Sequence, residues 1–248
     1  MEQEPSRRST GVSATDPWVG RLVVVVLVAL VLVLTAVAYV VYTSVVVGRA
    51  PRTITEKQIA TLDAAFKATP NDPQVVADYM RELIIAERYS KARSVMNTYR
   101  AGETADAAIV SIEEARLLQA TGDSEEALDV ADRAFDEAKA EKQAKIDAQA
   151  KKGISAPFSS TAIVEATLMK AEILQSLDRI EDAVEAIEVA LEELPTMADV
   201  LVWRGDLEAS LGRTDDARAD YEKALTMIPD YQPALDGLSA LEKGGADE

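Results

Sequence analysis

The sequence predicts an all-α fold: a solenoid of helical hairpins preceded by one transmembrane helix. Three observations carry that expectation. Leu22 to Val47 is an apolar run without a charge, and a stretch near the C-terminus repeats upstream at an interval of 34 residues without a gap. The third is composition, with 48% of the 248 residues hydrophobic but no cysteine and no histidine. That absence removes disulfides, zinc and iron–sulfur sites with their usual ligands, and Cys/His or Ser-His-Asp nucleophiles. No metal and no cofactor is expected, and any catalysis would have to use carboxylates, lysines or tyrosines.

Residues 1–20 (MEQEPSRRSTGVSATDPWVG) read as a disordered, polar, turn-rich tail. The transmembrane anchor follows over 21–48. Its core, LVVVVLVALVLVLTAVAYVVYTSVVV, would make about 39 Å of helix at 1.5 Å per residue, more than the ~30 Å hydrocarbon core, so it can span with some tilt. Trp18 precedes the run, and Tyr39 and Tyr42 lie towards its end, as interfacial aromatics do. Ala36-Val37-Ala38 has the look of a signal-peptide cleavage site, but the apolar run continues from Tyr39 to Val47, which favours an uncleaved anchor. Arg7, Arg8 and Arg21 before the span balance Arg49, Arg52 and Lys57 after it, so the positive-inside rule gives no orientation. A short tail followed by a large acidic body suits a single-pass protein of the cell membrane with its C-terminal domain outside the cytoplasm. Gly48-Arg49-Ala50-Pro51-Arg52 separates the two parts.

After a leading helix over 53–72 the repeats begin. LGRTDDARADYEKALTMIP (Leu211–Pro229) aligns with LDRIEDAVEAIEVALEELP (Leu177–Pro195), placing Ala183 on Ala217, Ala190 on Ala224 and Pro195 on Pro229. TGDSEEALDVADRAF puts Gly122 and Ala127 in the same frame, and AERYSKARSVMNTY adds Tyr89 and Ala92. Each unit reads as two antiparallel helices. Small residues permit close helix contact, apolar residues recur at helical spacing, and proline ends the second helix. No unit can bury its apolar face alone, so the units must stack.

These residues resemble the tetratricopeptide repeat (TPR) family, in its membrane-anchored bacterial form. In that frame repeats run 73–106, 108–141, 164–197 and 198–231, so the TPR segments are 73–141 and 164–231. The small residue of the first helix is Ala115, Ala171 and Gly205, with Met80 in the first repeat. The second helix carries Ala92, Ala127, Ala183 and Ala217, then Ala134, Ala190 and Ala224, with Tyr99 in the first repeat. A capping helix and tail follow over 232–248. The spacing breaks once, by 22 residues, leaving a basic insertion and loop over 142–163. There KQAKIDAQAKK prolongs a second helix and GISAPFSS forms a loop. Lys139, Lys142, Lys145, Lys151 and Lys152 make this tip basic, either as a solvated helix end or as a contact for anionic lipid headgroups or an acidic partner.

Three acids and three bases balance in residues 1–48, so the whole net charge of −17 falls on 49–248. Such a surface repels phosphates and disfavours nucleic acid; it either keeps the helices solvated or receives basic ligands. The resemblance implies that a protein segment binds in the concave groove lined by the first helices. By position this groove comprises Gln74, Ala77, Arg81 and Ile84, then Ile109, Ile112, Arg116 and Gln119. It continues with Glu165, Leu168, Glu172 and Gln175, and ends with Asp199, Val202 and Asp206. Along it Arg81, Arg116, Glu172 and Asp206 would give a positive half and a negative half. The implied function is a membrane-anchored scaffold that binds a protein partner and helps assemble or stabilise a membrane complex, with lipid contacted through the anchor. A membrane anchor joined to TPR units also resembles assembly factors of cytochrome c maturation, through ATLDAAFKATPNDPQ, and ancillary subunits of the export translocon. The alternative of another class is a carboxylate-dependent enzyme built on Asp215, Asp216 and Tyr221, which requires an enclosed pocket around them.

Overall fold

The computed structural model describes residues 53–102, 107–155 and 158–244, together with Val26, Leu30, Val33 and Thr35. The chain divides into two units, Met1–Ile54 and Thr55–Glu248. In the first, Val26, Leu30, Val33 and Thr35 are helical and exposed; the rest of the tail and of the anchor expected over 21–48 lies outside the described residues. Among the described residues no helix is long and apolar enough to cross a membrane.

The second unit is all-α. Its helices are α1 (Ile54–Ala68), α2 (Pro73–Ile85), α3 (Tyr89–Ala101), α4 (Ala108–Thr121) and α5 (Ser124–Ala150). They continue as α6 (Thr161–Ser176), α7 (Ile180–Glu193), α8 (Ala198–Ser210), α9 (Thr214–Met227) and α10 (Gln232–Gly244). Consecutive helices from α2 to α10 pack on each other, and first helices also pack on first helices: α2 on α4, α4 on α6, α8 on α10. That second set of contacts makes the hairpins a stack.

Each hairpin reverses in the same way. Glu87, Gly122, Asp178 and Gly212 have φ of 56°, 90°, 59° and 74°, one left-handed residue per turn. Its own N–H donates three residues back (Glu87 to Ile84 O, Asp178 to Gln175 O), and the next N–H donates five back, as Arg88 N to Leu83 O at 2.7 Å and Arg213 N to Glu208 O at 2.9 Å. These bonds satisfy carbonyls that the helix end leaves open. Arg88, Asp123, Arg179 and Arg213, at the starts of α3, α5, α7 and α9, supply no side-chain cap. In the last three hairpins a pair of acids in the first turn faces the positive helix end instead: Glu125 and Glu126, Glu181 and Asp182, Asp215 and Asp216. The Asp215–Asp216 pair is thus a repeated feature of second helices.

The small residues sit where two helices touch. Ala92, Ala115, Ala127, Ala134, Ala171, Ala183, Ala190, Ala217 and Ala224 have no exposed surface. Gly205 allows a closer approach still, since a Cβ there would lie 2.7 Å from the Tyr221 ring. On the other side of that ring, a Cβ on Gly237 of α10 would lie 2.5 Å from Tyr221 Cζ. Tyr221 is therefore clamped between α8 and α10, 2% exposed, and its hydroxyl donates to Asp206 Oδ1 at 2.7 Å.

At the other end α1 docks through Ile59 and through Phe66, whose ring lies 5.7 Å from that of Tyr79. Asp63 accepts from Tyr79 Oη at 2.6 Å and pairs with Lys67 and Lys91. Hydrogen bonds from Lys67, Tyr79 and Lys91 hold its carboxyl well below the usual carboxylate range.

The insertion continues α5 to Ala150 and its loop runs to Ser160, so the third hairpin begins three residues before the expected 164. The third hairpin starts at Thr161 because Ser160 accepts from Ile163 N and caps the helix. The extension is braced on both sides. Glu141 accepts from Ala108 N at 3.1 Å, serving as the N-cap that Ala107 cannot provide for α4. Lys142 pairs with Glu193 at the end of α7, and Glu193 also accepts from Ser160 N. Burial pushes Glu193 up, but Lys142 and the Ser160 N–H hold it below the usual carboxylate value.

Two stability measurements follow from the turns and the clamp. Glu87→Gly removes the cost of a left-handed non-glycine residue and raises the free energy of unfolding by about 0.5–1 kcal/mol in urea titration; Asp178→Gly gains less, because aspartate tolerates that region better. Gly237→Ala drives a methyl into the Tyr221 ring and lowers stability by about 1–3 kcal/mol, read as an earlier urea midpoint.

Candidate functional site

A helix presents residues three and four apart on one side, so the second, fifth, ninth and twelfth positions of each expected repeat share a face of its first helix. α2, α4, α6 and α8 bring the fifteen expected groove residues onto these faces, but not all reach solvent. Ala77, Ile84, Ile112 and Val202 are buried, at 0%, 7%, 1% and 7% exposure, and belong to the core. Ala77, Ile84 and Ile112 lie on α2 and α4, which pack on neighbouring first helices, and none of the four offers a surface to a ligand. Gln74, Glu165, Glu172, Gln175, Asp199 and Asp206 are exposed; Arg81, Ile109, Arg116, Gln119 and Leu168 are half-buried.

The expected positive half is altered by a residue outside that set. Glu113 on α4 has a fully buried side chain and receives both arginines. Arg81 reaches it from α2 at 2.6 Å, and Arg116 reaches it at 3.2 Å. Burial raises the Glu113 carboxyl above its ordinary value, against the pull of Arg116 and Arg81. A buried carboxylate without partners would cost several kcal/mol, which is why the two guanidiniums are drawn in. The neighbouring Glu114 repeats the arrangement on another side of α4, pairing with Arg100 of α3 and with Arg133 of α5 at 2.6 Å. It too is pushed up by burial, with Arg100 and Arg133 opposing. Both carboxylates were legible only as solvated charge. The signal lay in AIVSIEEARLLQA, where apolar residues surround positions 113 and 114 on every side of the helix.

Towards the C-terminal hairpins the face keeps its negative groups. Glu165, Glu172, Asp199 and Asp206 remain exposed around half-buried Leu168 and Trp203. Trp203 Nε1 donates to Gln175 Oε1 at 3.0 Å, tying α8 to α6 and fixing the indole on this side. The charge gradient expected along the groove therefore reduces to a nearly neutral end and an acidic end.

The grouping weighed for acid/base chemistry does not form a site. Asp215 and Asp216 are exposed in the first turn of α9, while the Tyr221 ring lies in the core. Burial and then Asp206 raise the Tyr221 phenol far above its ordinary value, so at neutral pH it serves only as a donor. The nearby cleft holds Arg204 against Asp220, at 2.7 and 2.6 Å, and Arg213 against Glu208, at 3.0 Å. Among the described residues no group of three or more acids could hold a metal ion.

The tetratricopeptide repeat family model matches residues 198–231, the α8–α9 hairpin and its flanking turns. Among solved structures the chain is similar to BtubC of P. vanneervenii, at 19% identity over 79% of this chain and 85% of that one, with a TM-score of 0.56. It is also similar to a tetratricopeptide repeat protein of Parabacteroides merdae, at 16% identity over 71% and 60%, TM-score 0.53. A third is YrrB, described as a TPR protein with an unusual peptide-binding site, at 17% identity over 75% and 84%, TM-score 0.50. No curated protein matches. At these identities the likeness establishes the fold, a TPR-like helical solenoid.

The Glu113 arrangement makes a testable claim about Arg81. Arg81→Glu sets two carboxylates against each other and lowers stability by about 2 kcal/mol in urea titration, while adding Glu113→Gln recovers part of that loss.

Proposed function

We propose that this chain is a non-catalytic scaffold anchored in the cell membrane through residues 22–47, which binds a protein partner on the first-helix face of α6 and α8. One observation carries the reading: exposed Glu165 and Glu172 flank half-buried Leu168 on α6, exposed Asp199 and Asp206 flank half-buried Trp203 on α8, and the Trp203–Gln175 hydrogen bond joins the two helices. Carboxylates around a fixed indole suit a segment carrying lysine or arginine together with an apolar side chain. The peptide-binding site in the description of YrrB supports a protein partner for this fold. The anchor reading rests on the uncharged run and on the exposed apolar residues Val26, Leu30 and Val33. Tethering to the bilayer raises the effective concentration of the face towards a membrane-bound partner, which favours assembly or stabilisation of a membrane complex. The acidic body lies on the extracytoplasmic side in this reading.

An affinity pull-down from detergent-solubilised membranes tests it. Wild type retains a partner that Glu172→Lys/Asp199→Lys loses about tenfold or more, with helical content by circular dichroism unchanged. Equal retention by both proteins would rule out this face.

A further inference from the structure

The α5 extension ends in a basic segment of an acidic domain. Lys145, Ile146, Lys151, Lys152 and Ile154 are all exposed there, with Ile146 and Ile154 at 36% and 49%. The end is ordered by the same turn that reverses the hairpins: Gly153 has φ 72°, and Ile154 N donates to Gln149 O at 3.0 Å. Lys145 stands 5.7 Å from the centre of the Phe158 ring, keeping the following loop against the helix. Glu141 and Lys142, the residues that brace the extension, lie at its base, so the tip is carried on a fixed arm. Asp147 is the acid of this segment, and it accepts from Gln143 Nε2 at 2.8 Å.

We propose that this tip docks on an anionic lipid surface, with Lys145, Lys151 and Lys152 at headgroup phosphates and Ile146 and Ile154 entering the interface. Lysines beside isolated exposed isoleucines suit a surface that offers phosphate and hydrocarbon together. An anionic bilayer that attracts the tip repels the acidic face of α6 and α8, which stays available to its partner. The inference rests on the anchored reading for local concentration, since the same chain carries the uncharged run.

The absence of cysteine from the sequence allows a clean test with the full-length chain. Ser155→Cys is labelled with an environment-sensitive nitrobenzoxadiazole dye, and Ala240→Cys on α10 serves as the control position. Both are mixed with vesicles of phosphatidylcholine with or without phosphatidylglycerol and separated by flotation. The expected result is flotation on both lipids, with the Ser155 label blue-shifted only where phosphatidylglycerol is present and the Ala240 label aqueous throughout. Each lysine at an anionic surface contributes about fivefold, so Lys151→Glu/Lys152→Glu weakens the blue-shifted population about twenty-five-fold or more. Flotation with an aqueous Ser155 label on phosphatidylglycerol overturns the tip and leaves the anchor standing, directing attention to an acidic protein instead. Flotation on phosphatidylglycerol alone, with the label shifted, removes the anchor and keeps the tip. Failure to float on either lipid overturns both.

Discussion

A helix that must run back along its own side within three residues has one inexpensive way to end, and this domain uses it throughout. A single residue takes the left-handed conformation, its N–H and the next one return to carbonyls of the final turn, and the chain points backwards. Glu87, Gly122, Asp178 and Gly212 do this at the four hairpins and Gly153 does it at the end of α5. The close pairing of helices follows from that geometry, and close pairing is what requires alanine and glycine between them. Small residues then expose large neighbours to one another across the stack, so that Ile187 and Tyr221 become core. Burying one such side chain contributes roughly 2–3 kcal/mol, which no isolated hairpin could collect.

The second constraint is electrostatic and local to α4. Because α4 contacts α2, α3, α5 and α6, it has little face left for water. Glu113 and Glu114 are nevertheless there, and each is neutralised by two arginines drawn from α2, α3, α4 and α5. The pairs fix which side of each neighbour faces α4. They also set the character of the outer face, since guanidiniums engaged inward cannot define a positive end for a ligand.

Much of this was legible because it is written within single helices. In α7 and α9 the alanines, Pro195 and Pro229 beyond the helix ends, and the acid pairs of the first turns all recur at one spacing, and all occupy the places that spacing implies. Two left-handed positions were not legible, because glutamate at 87 and aspartate at 178 carry no glycine signature. The groove was legible only as a list of helix positions. Periodicity says which side of a helix a residue occupies, but how closely the next hairpin presses decides whether Ala77 or Ile112 sees solvent. Contacts such as Glu141 to the Ala108 N–H join residues 33 apart, and no periodicity within one helix pairs them.

α4 has one more property. Its Ile112, Ala115 and Leu118 belong to an apolar cluster running on to Ala234, its Val110 and Leu117 to another reaching back to Ile59, and its Ala108 to a third beneath the α5 extension. The domain is therefore two tandem blocks mortared by a single helix. A solenoid of this kind loses order along a line, and the seam determines how far a disturbance at one end travels. Loosening of α1–α3 can stop at α4 while the clusters behind it persist, so the hairpins that carry Trp203 and the exposed acids are insulated from strain arriving through α1.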